Sequence, residues 1–466
     1  MAKNLLQSKI FSCSGQFKNQ LLLTCGIICQ LILGSITTSF AQTNVIQKLN
    51  AYMEGQYKIN RFSGNVLIVK NNAVLMHRAF GQADLEWNVA NTTDTKFGLA
   101  SISKQFTAVA VLQLVDKGAL TLQDRLSKFF PGYPHGENIS IHMILTHTAG
   151  LPLDFEELYL SSTELNKDTV LNYIKSLPLQ FQPGNGLAYS NVGYYLLGQI
   201  IEKVSGSSLS DFLKNNIFEP AGMKNTGLNS NERIIVKLAR SYLRTDANFL
   251  KNPYINWEVN TGLDGMYATA SDLFKFNKAL HGGKLLSDNL KTKMFTHYNK
   301  AYPDGKFLDT YGYGIFINPY FNQGHQMFTH SGGYFGVMTT MDYYPKDDLF
   351  ITVLSNNESE SHWIAYGLAG IMFGKQVETP YKHIEKKIDP RLLTNYIGKF
   401  GDVEFIKKEN KLVIKKGEVV LVPESNNRFF RKDLPDRTYE FVQPKGQRNN
   451  LLISTKGGVR DTVYRK

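Results

Sequence analysis

Residues 106–115, "FTAVAVLQLV", are apolar on nearly every face, so a helix built from them has no side to give to water and must run through the centre of a large domain. Gly118 is placed to stop that helix. Just ahead stands "SISK", which sets Lys104 three residues after Ser101. Positions i and i+3 share a helix face, so the Lys104 amine can sit beside the Ser101 hydroxyl. A serine hydroxyl is a poor nucleophile until a base takes its proton, and burial lowers a lysine from its usual ~10.4 towards the neutral form that can act as that base. The competing reading is a lysine whose stem packs on the helix while its head reaches solvent.

Strand signals bracket this helical region. "SGNVLIVKNNAVLMHRAFG" (63–81) predicts a hairpin turning at Asn71-Asn72 and lying at a sheet edge, while 324–356 contains three runs with antiparallel strand character. Between them, helical patterns fit 191–206, 209–217 and 271–280, with Gly206 closing the first and Ser271 capping the last. Strands that open and close a domain around a helical middle can share one sheet, an α+β arrangement with an antiparallel sheet flanked by helices. With 466 residues and no period of 20–50 residues, the chain predicts two domains rather than a repeat array. The second follows "VETPYKHIEKKIDP" (377–390), polar and bracketed by prolines, beyond which short alternating strands predict a small all-β module.

Residues 1–41 resemble an export signal, with Lys3, Lys9 and Lys18 before the uncharged "LLLTCGIICQLILG" and a small-x-small pattern at Ser39 and Ala41. An uncleaved anchor is the alternative, and a lipoprotein fits less well because Ile28 precedes Cys29. Cys13, Cys25 and Cys29 all lie in this leader, which leaves the mature chain no disulfide and no cysteine metal site. The expected location is a bacterial periplasm or the exterior, without stable membrane insertion after cleavage. Charge is uneven: residues 390–466 carry 17 Lys/Arg against 9 Asp/Glu. Such a module either attracts anionic surfaces or is a solvated basic face.

Three further pieces stand beside the Ser-Lys pair: "YSN" (189–191) opening a helix, "HSGG" (330–333) in a strand, and "THTAGLP" (146–152). With "SISK", they resemble the motif set of the serine beta-lactamase and penicillin-binding protein superfamily, in its class C-like branch with carboxypeptidase, D-aminopeptidase and esterase relatives. The resemblance covers roughly 60–375, and "FQPGNGLAYSNVGYYLLG", "FEPAGMKNTG" and "GLDGMYATASDLFKF" agree with it. It implies a beta-lactamase/transpeptidase-like α+β fold with a helical subdomain, followed by the small all-β module. The implied organisation is a signal peptide at 1–41, a hydrolase domain at 42–380 and a basic domain at 384–466.

The resemblance implies roles residue by residue. Ser101 is the nucleophile and Lys104 its base, with Tyr189 passing a proton towards the leaving group. Asn191 donates to a substrate carbonyl and holds Lys104. His330 and Gly332 contact substrate, the glycines letting a substrate backbone lie on the strand edge. The N–H groups of Ser101 and Gly333 form the oxyanion hole. His330 stands where class C beta-lactamases have lysine, which favours peptidase or esterase relatives. His147 is expected to be structural rather than part of a triad, and His142 and His147, five apart, fall on different helix faces, so no metal and no cofactor is expected. The expected activity is hydrolysis of an ester or amide through an acyl-enzyme. A small molecule or a peptide, possible cell-wall material included, is the expected partner, not a nucleic acid. A slowly acylating penicillin sensor and a class C-like beta-lactamase are the alternatives.

Overall fold

The computed structural model describes residues 43–59, 61–161, 165–245, 248–298, 310–319, 321–434, 436–443 and 451–465. The export signal expected at 1–41 lies outside them. Residues 1–51 form one unit, helical over its described part 43–51, and residues 52–466 form a second.

Within the second unit the predicted hairpin is β1 (Gly64–Lys70) and β2 (Ala73–Phe80), turning where Asn71 and Asn72 take left-handed φ of 50° and 60°. It joins β3 (Phe316–Ile317), β4 (Phe328–Tyr334), β5 (Val337–Tyr344) and β6 (Leu349–Ser355) in one antiparallel sheet of order β3-β4-β5-β6-β1-β2. β1 pairs with β6 from Gly64–Ser355 to Lys70–Leu349, so the two ends of the domain are neighbours and β2 is the edge.

The apolar helix is α1 (Ser103–Asp116), with eleven of its fourteen residues buried. Phe106 stacks on Phe276 at 3.9 Å and meets Phe218 edge-on. Gly118 follows its end with φ +68°. Helix α2 (Asn191–Ser205) is capped by Ser190, whose hydroxyl accepts from Gly193 N–H, and closes on Gly206 at φ +70°. The 209–217 segment divides into a helix Leu209–Leu213 and a wider π turn Lys214–Phe218. Helix α3 (Ala270–His281) departs from expectation at its cap. Thr269 is the last extended residue and its side chain accepts from Asp272 N–H, so Ser271 is already inside the first turn.

The C-terminal strands are β7 (Gly398–Phe400), β8 (Val403–Lys408), β9 (Lys411–Ile414), β10 (Val419–Pro423), β11 (Arg428–Arg431), β12 (Thr438–Val442), β13 (Leu451–Lys456) and β14 (Val459–Tyr464). They pair in sequence order, and a bridge between Phe400 and Arg465 brings the two ends together as a barrel. Phe405, Leu412, Leu421, Phe429, Phe441 and Leu452 fill its interior.

The proline-bounded segment is a seam rather than a loose tether. Glu378 N–H donates to Gly458 O and Lys386 N–H to Pro423 O, while the Glu378 carboxylate pairs with Arg428. Helix α4 (Ser361–Met372) meets the barrel so closely that a Cβ on Gly367 would stand 2.3 Å from Gly457 O, and the Arg437 guanidinium lies 4.5 Å over Trp363.

Candidate active site

Ser101 sits in a 3₁₀ turn, Ala100–Ile102, that leads into α1. The turn is strained: Ala100 has φ +49°, a conformation that costs an L-residue roughly 1–2 kcal/mol. Three contacts impose it. Leu99 N–H donates to Met266 O, Thr339 Oγ1 donates to Leu99 O at 2.8 Å, and Gly332 of β4 lies against the turn. A Cβ on Gly332 would come within 2.4 Å of Leu99 O and 2.8 Å of Ser101 N. The missing side chain of Gly332 therefore admits the serine turn itself, not a substrate backbone; Gly333, beside it, is exposed.

Lys104 is wholly buried, which excludes a solvent-seeking head. Its Nζ donates to Ser101 Oγ at 2.8 Å, to Leu263 O at 3.1 Å and to Asp264 Oδ1 at 3.0 Å. The Ser101 hydroxyl donates in turn to Asp264 Oδ1 at 2.7 Å. Burial lowers the Lys104 amine below its usual range, and Asp264, then more distantly Asp154, oppose that shift. The Tyr189 ring lies 5.1 Å from Lys104 Nζ, the amine that meets Ser101. Burial, reinforced by Asp264, holds its phenol well above the ordinary value, so it is protonated.

Asn191 stands at the head of α2 but takes a different partner from the one expected. Its amide donates to Asp154 Oδ2 at 2.7 Å, and its Oδ1 is without a hydrogen-bond partner. Lys104 is held by Leu263 and Asp264 instead, because the 262–264 segment is laid along α1, with Thr107 Oγ1 also donating to Gly262 O at 2.6 Å.

His330 is 1% exposed and both ring nitrogens are engaged. Nδ1 bonds to Ser331 O at 2.6 Å, which makes it the protonated nitrogen, so Nε2 accepts from the Tyr311 hydroxyl at 2.9 Å. Burial, then Lys104, push its pKa down to about 3, so the ring is neutral. It is enclosed by Tyr311 and Phe316 rather than turned to a substrate, the difference from expectation being Tyr311, a residue no motif marks. His147 is equally buried: Nδ1 accepts from Ser190 N–H at 3.1 Å and the ring packs 4.4 Å from Tyr189 and 4.6 Å from Tyr311. It forms the wall behind Tyr189.

Asp264 is the residue that sequence reasoning missed. It lies inside "GLDGMYATASDLFKF", but it is 160 residues from Lys104, and a single acid between glycines carries no spacing signal. Among the described residues no cluster of three or more His, Cys, Asp or Glu stands ready for a metal. Beside the site, a cavity of about 370 Å³ is lined by Trp257, Tyr334, Leu238, Val337, Asn229 and Asn252, among others. Tyr334 directly follows Gly333 and meets Trp257 edge-on, with ring centroids 5.4 Å apart.

A buried lysine on a strained serine, with a tyrosine beside them and a glycine strand against the turn, is the set of groups that serine-lysine acyl transfer needs. The Beta-lactamase family model matches residues 45–365, and the chain belongs to that family of serine hydrolases. It is 29% identical over 440 residues to a penicillin-binding protein of Bacillus subtilis (strain 168), covering 87% of this chain and 96% of that protein. Among solved structures it resembles the octameric penicillin-binding protein homologue from Pyrococcus abyssi at 25% identity and TM-score 0.64, over 90% of this chain and 98% of that one. The D-amino acid amidase from Ochrobactrum anthropi SV3 complexed with L-phenylalanine aligns at 25% identity and TM-score 0.59, over 71% and 96%.

Proposed function

We propose that this protein is an exported hydrolase that cleaves an ester or amide through an acyl-enzyme on Ser101. The observation that carries the reading is the 2.8 Å contact between Ser101 Oγ and a wholly buried Lys104 Nζ. Ser101 Oγ attacks the carbonyl carbon and its proton passes to neutral Lys104. The N–H groups of Ser101 and Gly333 receive the developing oxyanion. Collapse breaks the bond to the leaving group, which takes a proton through Tyr189, and water then attacks the acyl-serine and releases the acid. His330 acts through Tyr311 rather than on the substrate. The cavity bounded by Trp257 and Tyr334 suits an apolar or aromatic substrate group, and the amidase likeness supports substrates of D-amino-acid type.

A second reading, a penicillin receptor that acylates and does not turn over, draws on the penicillin-binding relative. Intact-mass measurement after exposure to a fluorophosphonate and to a penicillin tests both. An adduct on Ser101 with the first, and a transient or absent adduct with the second, supports the hydrolase. A penicillin adduct that persists for hours makes it a receptor, and no adduct with either reagent removes Ser101 as nucleophile.

A further inference from the structure

We propose that Asp264 is a positioning residue of this site: its carboxylate holds the Ser101 hydroxyl and the Lys104 amine together in the resting protein and makes proton release from Lys104 harder. The inference rests on the Ser101 acyl-enzyme reading and adds to it a group to which the sequence motifs assign no role.

The geometry is built for this. Asp264 Oδ1 lies 2.7 Å from Ser101 Oγ and 3.0 Å from Lys104 Nζ, and the residue is 7% exposed. Its backbone is fixed on both sides. Gly262, at φ +82°, packs where a Cβ would stand 2.7 Å from Tyr194 O, and Gly265 lies where a Cβ would stand 2.3 Å from Asn260 O. Thr107 and Lys104 bond to the carbonyls of Gly262 and Leu263, and Met266 N–H donates to Ser103 Oγ. Three contacts thus pin 262–266 along the first turns of α1. The backbone that carries the carboxylate cannot shift without breaking them.

The consequence concerns which state rests. Lys104 Nζ has three acceptors within reach, which are Ser101 Oγ, Leu263 O and Asp264 Oδ1, matching the three donors of an ammonium. The Ser101 O–H meanwhile donates to Asp264 and not to the amine. To become a base, Lys104 must lose a proton to solvent while a carboxylate sits 3.0 Å away. The other groups facing Lys104 are Asp154, the neutral rings of His147 and His330, and the phenols of Tyr189 and Tyr194 at 5.1 and 5.8 Å. Of these only Asp154 carries negative charge, and it lies behind Asn191. Asp264 is therefore the charge that dominates the ammonium's stability.

The sign follows. A neighbouring anion raises a lysine, so removing it lets Lys104 deprotonate at lower pH, and activity that needs the free amine persists further into acid. The experiment is kcat/KM for p-nitrophenyl acetate from pH 5 to 10 in the full chain, unmodified and as Asp264→Asn and Asp264→Glu. Asp264→Asn should move the acidic limb down by roughly one pH unit or more, the size expected of an adjacent charge. Asp264→Glu, which keeps the charge, should leave the limb close to its original place. Should the asparagine variant not fold, Asp264→Ser is the second neutral variant. A merely structural role would lower the rate at all pH values and leave the limb where it is, which would overturn the inference. Loss of turnover across the whole range in a folded neutral variant overturns it in favour of Asp264 as the proton acceptor. If the unmodified protein forms no Ser101 adduct and has no ester turnover, the hydrolase reading falls and takes this one with it; turnover with coincident limbs sinks this one alone.

Discussion

The hydrolase body and the C-terminal barrel are both built on antiparallel sheet, and they bury opposite things. The body packs Lys104, His147, His330 and Asp342 at 1% exposure or less, each needing a partner or a shifted protonation state. The barrel closes over rings and aliphatic chains, among them Phe405, Phe429 and Phe441, and leaves its lysines on the rim in pairs such as Lys408–Glu418 and Lys415–Glu404. Buried polar groups are destabilising unless they are fully partnered, so a fold that keeps several together in one place is maintaining chemistry. A core of interlocking rings contributes stability. The barrel is therefore read as support for α4 and the seam at 376–390, and its excess of basic residues as its outer face.

The sharpest way to break that contrast is at Ser101. Ser101→Ala removes one oxygen and opens no cavity, so thermal unfolding should hardly change, while ester turnover should fall by about 10⁴-fold or more. Retained turnover, measured after intact-mass confirmation of the variant, would mean the polar cluster is not catalytic. The barrel should show the reverse. Phe405→Ala, at a position with no exposure, should lower stability by ~3–5 kcal/mol in denaturant unfolding and leave KM for the ester unchanged. A changed KM would give the barrel a part in shaping the cleft.

Acid should separate the two regions next. Burial pushes His281 and His362 down to about 4 and His330 to about 3, all in the body, whereas residues 398–464 contain no histidine. Their folded values lie below the unfolded value of ~6.5, so the stability they contribute is present above that pH and is lost as pH falls towards 4, at about 1 kcal/mol per histidine for the first pH unit. Asp342, raised by burial to about 6, works against this, since its protonation on acidification favours the folded form. Hydrogen exchange at pH 7.5 and 5 should show protection falling more in β4–β6 than in β8–β12; equal losses would contradict the assignment. The smallest effect concerns substrate charge. A neutral, enclosed His330 cannot pair with a carboxylate, so a neutral ester should be turned over faster than a cephalosporin by roughly one to two decades at pH 7.5, about 1.5–3 kcal/mol of missing charge-assisted hydrogen bond. Efficient cephalosporin hydrolysis in specificity-constant measurements would count against that reading.

Much of the architecture was legible in local pattern. The Asn71-Asn72 turn, the α1 stop at Gly118 and both ends of α2 follow from residues adjacent in sequence. The one misplaced cap, Ser271 for Thr269, is a shift of two residues between neighbouring hydroxyls, which composition cannot separate because only the backbone angles say which residue is last outside the helix. The Ser101–Lys104 contact was legible for the same reason, since i and i+3 neighbours meet whatever the rest of the chain does.

The sequence alone therefore determined the Ser101–Lys104 pair, the order of strands and helices and the barrel's position after the seam, all carried by short-range periodicity and motif order. Tertiary structure alone decided which groups surround that amine. Asp264 reaches it across 160 residues, Asp154 draws Asn191 away from it, and Tyr311 encloses His330. Gly332 is small for the sake of the Ser101 turn. Each depends on where a distant segment comes to rest, and a contact made by chain folding leaves no trace in the local spacing of either partner.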